Sequence, residues 1–355
     1  MNLSLTRKIA VKVEEDDTLE IETTVKNNGF LPLINFVLED NLTCEVSQQR
    51  KKRFLSDFLW PGATLTLKYR CQCPRRGRYE IGPFSIFLFD PWCLFFFKKA
   101  FRVYSELYVY PRTFHISKFP PLVKGNVPWF GIETSHVSGD EHEFYGIREY
   151  KPGDPIKKIH WVSTARKNKL IVKQFQHQMF FRASIVFNLN KEKNFGEGKE
   201  SVAEYTIKIA ASVAKYFIER NVSVELIAHI GEIAHIPFNK GDEHLEDILK
   251  LLTIAQPESA ISMSELFQEF ADYIPSDSSL IVIMLDQDWE SLPVMLSLKA
   301  RNISLVPLVL LSSSFLHIEE KQKFAQLAET KLPEGFDFSP IFFSCGDNLE
   351  HDFMK

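Results

Sequence analysis

The stretch RASIVFNLN, Arg182 to Asn190, decides the fold of the C-terminal half. Its apolar run is short and β-branched, which reads as a buried strand. In the following ESVAEYTIKIAASVAKYFIERN, Val202, Tyr205, Ile209, Val213 and Phe217 fall on one helical face, and Ser201 with Glu204 is spaced as a capping box. The alternation continues with VSVELIAHI (strand), GDEHLEDILKLLTIA and MSELFQEFADY (helices), SLIVIMLDQ (strand), WESLPVMLSLKAR (helix) and ISLVPLVLL (strand). An IEEKQKFAQLAE helix and a SPIFFS strand close it. This order predicts a parallel-sheet, Rossmann-type α/β domain over residues 181–355, with helices on both faces.

Toward the N-terminus the period changes. From Arg7 to Pro111, runs such as TLEIETTVKN, LINFVLED and TLTLKYRCQC alternate with period two between NNG, PG, RRG and DP turns. They predict an antiparallel β-sandwich of about seven strands over residues 1–111. Phe84, Phe87, Phe89, Phe95, Phe96 and Phe97 are read as its core. Residues 112–138, with Pro120, Pro121, Gly125, Pro128 and Gly131, read as a linker. A chain of 355 residues has the length of about two domains, so the fold class is multidomain α and β.

A net charge of −4 excludes a globally basic nucleic-acid binder. The five cysteines, Cys44, Cys71, Cys73, Cys93 and Cys345, are odd in number and contain no C-x-x-C pair, so neither a disulfide framework nor a zinc knuckle is expected and a reducing compartment fits. The N-terminus has no signal-peptide core, and PFSIFLFDPWCLFFFKKAF is broken by Asp90 and Pro91, so no transmembrane segment is expected.

Between the two regions lies EYKPGDPIKKIHWVSTARKNKLIVKQF, Glu149 to Phe175. Pro152 and Gly153 make turn chemistry, and Asp154 is expected to cap a short helix through PIKKIHW. Ile156, Ile159 and His160 would share one face of it, with Trp161 as the anchor against a domain and His160 structural. Arg148 and Arg166 are expected to clamp Asp154, Glu143 or backbone carbonyls. KLIVKQFQHQM reads as a strand pairing beside RASIVFN. An Asp154–His160 acid/base pair with Ser163 or Thr164 as nucleophile is disfavoured, because the spacing carries no catalytic geometry of its own.

The run GDEHEFYGIREYKPGDPIKKIHWVSTARKNKLIVKQF, with Glu143, Phe144, Arg148, Tyr150, Gly153, Asp154, Ile159, Trp161, Ala165 and Arg166, resembles the bacterial family called domain of unknown function 58. RRGRYEIGPFSIFLFDPWCLF and Val109 to Pro111 also look like that family. The resemblance implies a sandwich, a signature segment over 139–180 packed on the next domain, and a von Willebrand factor A-like domain. It also implies action with a MoxR-type AAA+ ATPase in assembling or maturing other proteins, without an established activity. Many relatives begin with a pair of transmembrane helices, which is not expected here.

Metal-binding A-domains hold Mg²⁺ through D-x-S-x-S after the first strand and a later Asp. Here the tip reads Asn188-Leu189-Asn190-Lys191-Glu192, with Lys193 adding charge, and Asp286, followed by Asp288, takes the later position. Loss of ligand charge predicts a degenerate site at Asn188, Asn190, Glu192 and Asp286 and no cofactor; weak Mg²⁺ binding is the lesser alternative.

The expected function is that of a non-enzymatic adaptor, cytoplasmic or at the inner face of the membrane. It would use the rim and the signature residues Arg148, Asp154, Trp161 and Arg166, with Lys157, Lys158, Lys167 and Lys169 as candidate partner contacts. The alternatives are a metal-dependent hydrolase working at the rim and local nucleic-acid binding through the basic segment.

Overall fold

The computed structural model describes residues 2–9, 12–45, 50–90, 92, 94–120, 135–151, 154, 156, 159–177, 182–275, 278–301, 303–316, 340–347 and 349–353. The chain is mixed α and β, with antiparallel sheets in its N-terminal part and a mixed sheet in its C-terminal part. No helix among the described residues is long and apolar enough to cross a membrane.

Ten strands precede residue 111: β1 (Leu3–Ile9), β2 (Val13–Glu14), β3 (Thr18–Asn27), β4 (Leu33–Asn41), β5 (Lys51–Leu59), β6 (Thr64–Gln72), β7 (Gly77–Ile81), β8 (Phe84–Phe89), β9 (Phe96–Phe101) and β10 (Ser105–Tyr110). They form sheets ordered β1-β3-β6, β5-β4-β8-β9 and β2-β10-β7. The alternation read in TLEIETTVKN is literal in β3, where Leu19, Ile21, Thr23, Val25 and Asn27 are buried and their neighbours face outward. Val25 joins Phe36, Leu38, Phe84 and Ile86 in one cluster, against which Leu3, Leu5, Leu65 and Leu67 pack, so the first two sheets share a core.

The aromatic expectation fails in part. Phe84 is fully buried, but Phe95, Phe96 and Phe97 are exposed, because β9 is an edge strand and its first residues sit at the open end of the sheet. Ile34, Phe58 and Trp60 are exposed at the same end of that sheet.

A buried polar network crosses this core. Arg7 on β1 pairs with Asp40 on β4, and the Tyr69 hydroxyl on β6 donates to the other Asp40 oxygen. Thr23 Oγ1 meets the same hydroxyl at 2.9 Å, and Arg7 also donates to the Ile81 carbonyl at 2.8 Å. Burial pushes the Asp40 carboxyl above its ordinary range, and the Arg7 charge and Tyr69 bond oppose that shift.

The second region begins with β11 (Ser135–Glu149), α1 (Trp161–Lys167) and β12 (Ile171–His177). Here β12 pairs with β11 in a separate two-stranded antiparallel sheet. The expectation that KLIVKQFQHQM lies beside RASIVFN is therefore corrected: among the described residues β12 pairs with β11, across the intervening α1, rather than with β13 that follows it closely in sequence.

The six-stranded sheet has the order β15-β14-β13-β16-β17-β18, built from β13 (Arg182–Asn188), β14 (Ser223–His229), β15 (Ile233–Asn239), β16 (Ser278–Leu285), β17 (Ser304–Leu310) and β18 (Ile341–Phe343). All its pairings are parallel except β14 with β15. That edge hairpin corrects the expectation of an all-parallel sheet. One core cluster sets Ala183, Ile185 and Phe187 against α2 (Val202–Glu219) and α3 (Asp242–Ile254); another sets Val186, Val282 and Met284 against α4 (Met263–Phe270) and α5 (Leu292–Ala300). Helices thus cover both faces. Ser262 caps α4 in a complete capping box. Ser201 caps α2, but the Glu204 side chain leaves the box to pair with Arg76. The expected IEEKQKFAQLAE helix lies outside the described residues.

The two regions touch through charge. Arg76, buried, donates to the Leu252 carbonyl at 3.1 Å and the Ala255 carbonyl at 2.6 Å at the end of α3, and ion-pairs with Glu204 on α2. Glu15 lies 3.6 Å from Lys208 and 3.8 Å from Lys199. Residues from the expected linker also pack here, where Phe119 contacts Tyr216, Phe217 and Phe353.

Candidate functional site

In the sheet order β15-β14-β13-β16-β17-β18, chain connections diverge between β13 and β16, and the crevice beyond their carboxyl ends is where doubly wound sheets bind ligands. Asn188 ends β13 and Asp286 follows β16, so both lie at the carboxyl ends of these neighbouring strands.

Most of their polar groups are turned to local bonds, while Asn188 Oδ1 is buried without a hydrogen-bond partner. Asn188 Nδ2 and Asn190 Nδ2 both donate to the Ile261 carbonyl, at 2.7 and 2.9 Å. Asn190 Oδ1 accepts from the backbone N–H groups of Glu192 and Lys193, at 2.8 and 3.2 Å. Asp286 is buried and its Oδ1 accepts from Ser312 N at 3.1 Å. Burial raises its pKa above the ordinary range, the Ser312 bonds pull it down, and the nearby Asp288 charge pushes it up.

Sequence counts Lys193 only as charge beside the site. In the structure its ammonium lies 2.5 Å from Asp288 Oδ1 and 3.5 Å from Glu290 Oε1. Burial alone depresses the Lys193 pKa, but the Asp288 and Glu290 contacts outweigh it and the net shift is upward. The other Asp288 oxygen accepts from Leu285 N at 3.0 Å. Glu192 makes no described side-chain bond to this group. The cleft lined by Asn188, Asn190, Lys193, Ser262 and Asp288 has a volume of about 20 Å³, room for about one water.

The basic segment forms a second surface. Arg148 grips Asp154 with both arms, at 2.6 and 2.7 Å, and Lys151 N adds a bond of 2.8 Å. The Arg148 bonds first, and the Lys151 N–H second, lower the Asp154 pKa to about 2. Half of the expected clamp is thus present. Arg166 is exposed on the last turn of α1, and the side chain of Glu143, which it was expected to reach, lies outside the described residues.

Within PIKKIHW, Ile156 lies in a 3-10 turn and residues 155, 157 and 158 lie outside the described residues; α1 starts at Trp161, and His160 caps it by accepting from Ser163 N at 3.2 Å. His160 is structural, as read, and its N–H donates to the Ile171 carbonyl at 2.8 Å. Ile159, bridged to Val172, is the buried anchor; Trp161 is 63% exposed, because it opens a one-sided surface helix and points away from the hairpin core. Ile156 and Val162 are exposed with it, and Lys167 and Lys169 lie alongside, the latter 3.0 Å from Glu149. Tyr150 donates its N–H to the Leu170 carbonyl at 2.9 Å, and Glu143 pairs with Gln176 in the hairpin. Gly153, Lys157 and Lys158 lie outside the described residues.

Asp154 offers a direct check. Its charged form gains stability in the fold above its unfolded pKa, and that gain is lost as pH falls through about 2. Arg148→Met should move the Asp154 titration up toward the ordinary carboxylate range, followed by carboxyl-carbon NMR; an unmoved titration would refute the clamp.

Residues 146–305 match the family described as "Protein of unknown function DUF58". The chain is 25% identical over 261 residues to the "Uncharacterized protein YeaD" of Bacillus subtilis, a similarity covering 71% of this chain and 62% of that protein. It thus spans less than two thirds of that relative's length. Among solved structures, the putative ApaA protein of Bordetella pertussis is similar at 14% identity and a TM-score of 0.22, covering 30% of this chain and 92% of that one. A Listeria innocua β-glucosidase is similar at 14% identity and a TM-score of 0.15, covering 28% and 16%. Scores this low carry nothing for fold or activity. The matched residues hold the Arg148–Asp154 grip, α1 and the whole Asn188–Asp288 rim, and over them the chain is similar to the DUF58 family.

Proposed function

We propose that this chain is a non-enzymatic interaction protein that docks a MoxR-type AAA+ ATPase or its client, in the cytoplasm or at the inner face of the cell membrane. On this reading the N-terminal sheets form a β-sandwich that sets orientation. The six-stranded sheet is a von Willebrand factor A-like domain with a degenerate metal rim.

The observation that carries the reading is Lys193. Its ammonium supplies the cation of the rim from within the chain, against Asp288 and Glu290. A hard divalent ion needs several free oxygen donors and net negative charge, whereas here Asn190 Oδ1 is taken by the Glu192 and Lys193 N–H groups and Asp286 Oδ1 by Ser312, which leaves the buried Asn188 Oδ1 as the unengaged amide oxygen. These residues do not fit Mg²⁺, and a water-sized cleft does not fit a substrate. Separately, the exposed Trp161 and Val162 flanked by Lys167 and Lys169 suit an apolar anchor with acidic surroundings on a partner.

Binding of the purified MoxR-type ATPase from the same genome tests this. The wild-type chain should bind, and Trp161→Ala combined with Lys167→Glu and Lys169→Glu should weaken binding at least tenfold with folding intact. No binding by the wild-type chain would refute the proposal. A salt-dependent complex with single-stranded RNA, lost in the same lysine variants, would favour the nucleic-acid reading instead.

A further inference from the structure

Three thiols that the sequence scatters are brought together in the N-terminal sheets. Cys71 in β6 and Cys73 just beyond it are two residues apart, so an extended backbone points both side chains to the same, inward face. Cys44 arrives from the segment after β4. The three sulfurs all lie within 4.8 Å of one another, with Cys44 and Cys71 at 3.8 Å, and all three residues are buried. Their surroundings are apolar, with Leu19, Ile21, Leu42, Ile81 and Val109 closing the cluster.

Sulfurs bound to one cation at the usual metal–sulfur length of about 2.3 Å stand about 3.8 to 4.0 Å apart in tetrahedral or trigonal arrangement. The Cys44–Cys71 separation already falls there, well beyond a disulfide bond of about 2.05 Å. An unsatisfied carboxylate oxygen lies next in sequence to this cluster. Glu45, next to Cys44, has one oxygen engaged by Lys52 at 3.2 Å and Gln72 N at 3.3 Å, while its other oxygen is buried without a hydrogen-bond partner in the protein. A buried unpartnered carboxylate oxygen is costly.

We propose that Cys44, Cys71 and Cys73 form a three-thiolate site for a thiophilic d¹⁰ cation, Zn²⁺ or Cu⁺. Cu⁺ would use the three thiolates alone, and Zn²⁺ would need a fourth ligand from outside the three-thiol cluster. On binding, each coordinating thiol releases its proton to solvent as its sulfur–metal bond forms, so uptake is coupled to proton release and no oxidant or reductant is needed.

The test uses the reduced full-length chain. Co²⁺ as a spectroscopic stand-in should give thiolate-to-metal charge-transfer absorption, and Zn²⁺ or Cu⁺, titrated against a chromophoric chelator, should bind at one equivalent. Whichever of the two competes at lower free concentration identifies the cation. Cys71→Ala should abolish uptake, and Cys93→Ser with Cys345→Ser should leave it intact. If Cys71→Ala does not fold, the wild-type absorption decides. Absent charge transfer and uptake in wild type, uptake retained in folded Cys71→Ala, or a Cys44–Cys71 disulfide in protein that binds no metal after reduction would each overturn the proposal.

Discussion

Arg7→Met should destabilise the protein by about 3–5 kcal/mol, measured by urea denaturation at neutral pH. Both Arg7 and Asp40 side chains are sealed from solvent, so removing the guanidinium leaves an uncompensated carboxylate inside the shared core. The Tyr69 hydroxyl alone cannot offset that charge. The effect has a pH signature. Burial raises the Asp40 pKa in the fold, so folding favours its protonated form more than the unfolded chain does, and that contribution is present at low pH and lost as pH rises through the folded pKa. Without Arg7 the pKa rises further, and the penalty in the variant should shrink as the medium is acidified. Arg7→Met with Asp40→Leu should recover most of the loss, because an apolar replacement of a buried pair is often neutral. A penalty unchanged in the double variant would contradict this account of the core.

Arg76→Met should cost about 3 kcal/mol and loosen the contact between the two regions. Its guanidinium satisfies two carbonyls at the C-terminal end of α3, where a cation is favoured, and it also holds Glu204. Methionine keeps the packing volume but strands all three acceptors. Thermal unfolding followed by both near- and far-ultraviolet circular dichroism should separate into two steps. Arg76→Lys should fall between, since an ammonium supplies charge without the fork that reaches two carbonyls. A single unshifted transition would show that Arg76 does not couple the regions.

How legible the chain is depends on the range of the interaction read. Local period carried β3, β13 and α2, because burial on one face imposes it directly. β15 escaped because Pro237 breaks the strand signal, and an edge strand tolerates the proline that a central one would not. The Gly231-Glu232 turn between alternating runs, with Gly231 at φ +110°, was the available hint. At the rim, Asn188 and Asp286 lie at the carboxyl ends of neighbouring strands, but the reach of Lys193 to Asp288 spans 95 residues of sequence and has no local pattern. The same holds for Cys44 with Cys71 and Cys73. Trp161 shows the opposite error: size alone suggested an anchor, while its position at the start of a surface helix left the burial to Ile159.

The claim on which the account turns is that the Lys193 ammonium serves as the cation of the rim, making it a docking surface. Calorimetric titration of the chain with Mg²⁺ and Mn²⁺, in wild type and in Asp286→Ala, tests it most directly. The rim geometry predicts no saturable heat in either protein. Saturable binding by wild type that vanishes in Asp286→Ala would contradict it and restore a metal-dependent hydrolase as the leading reading.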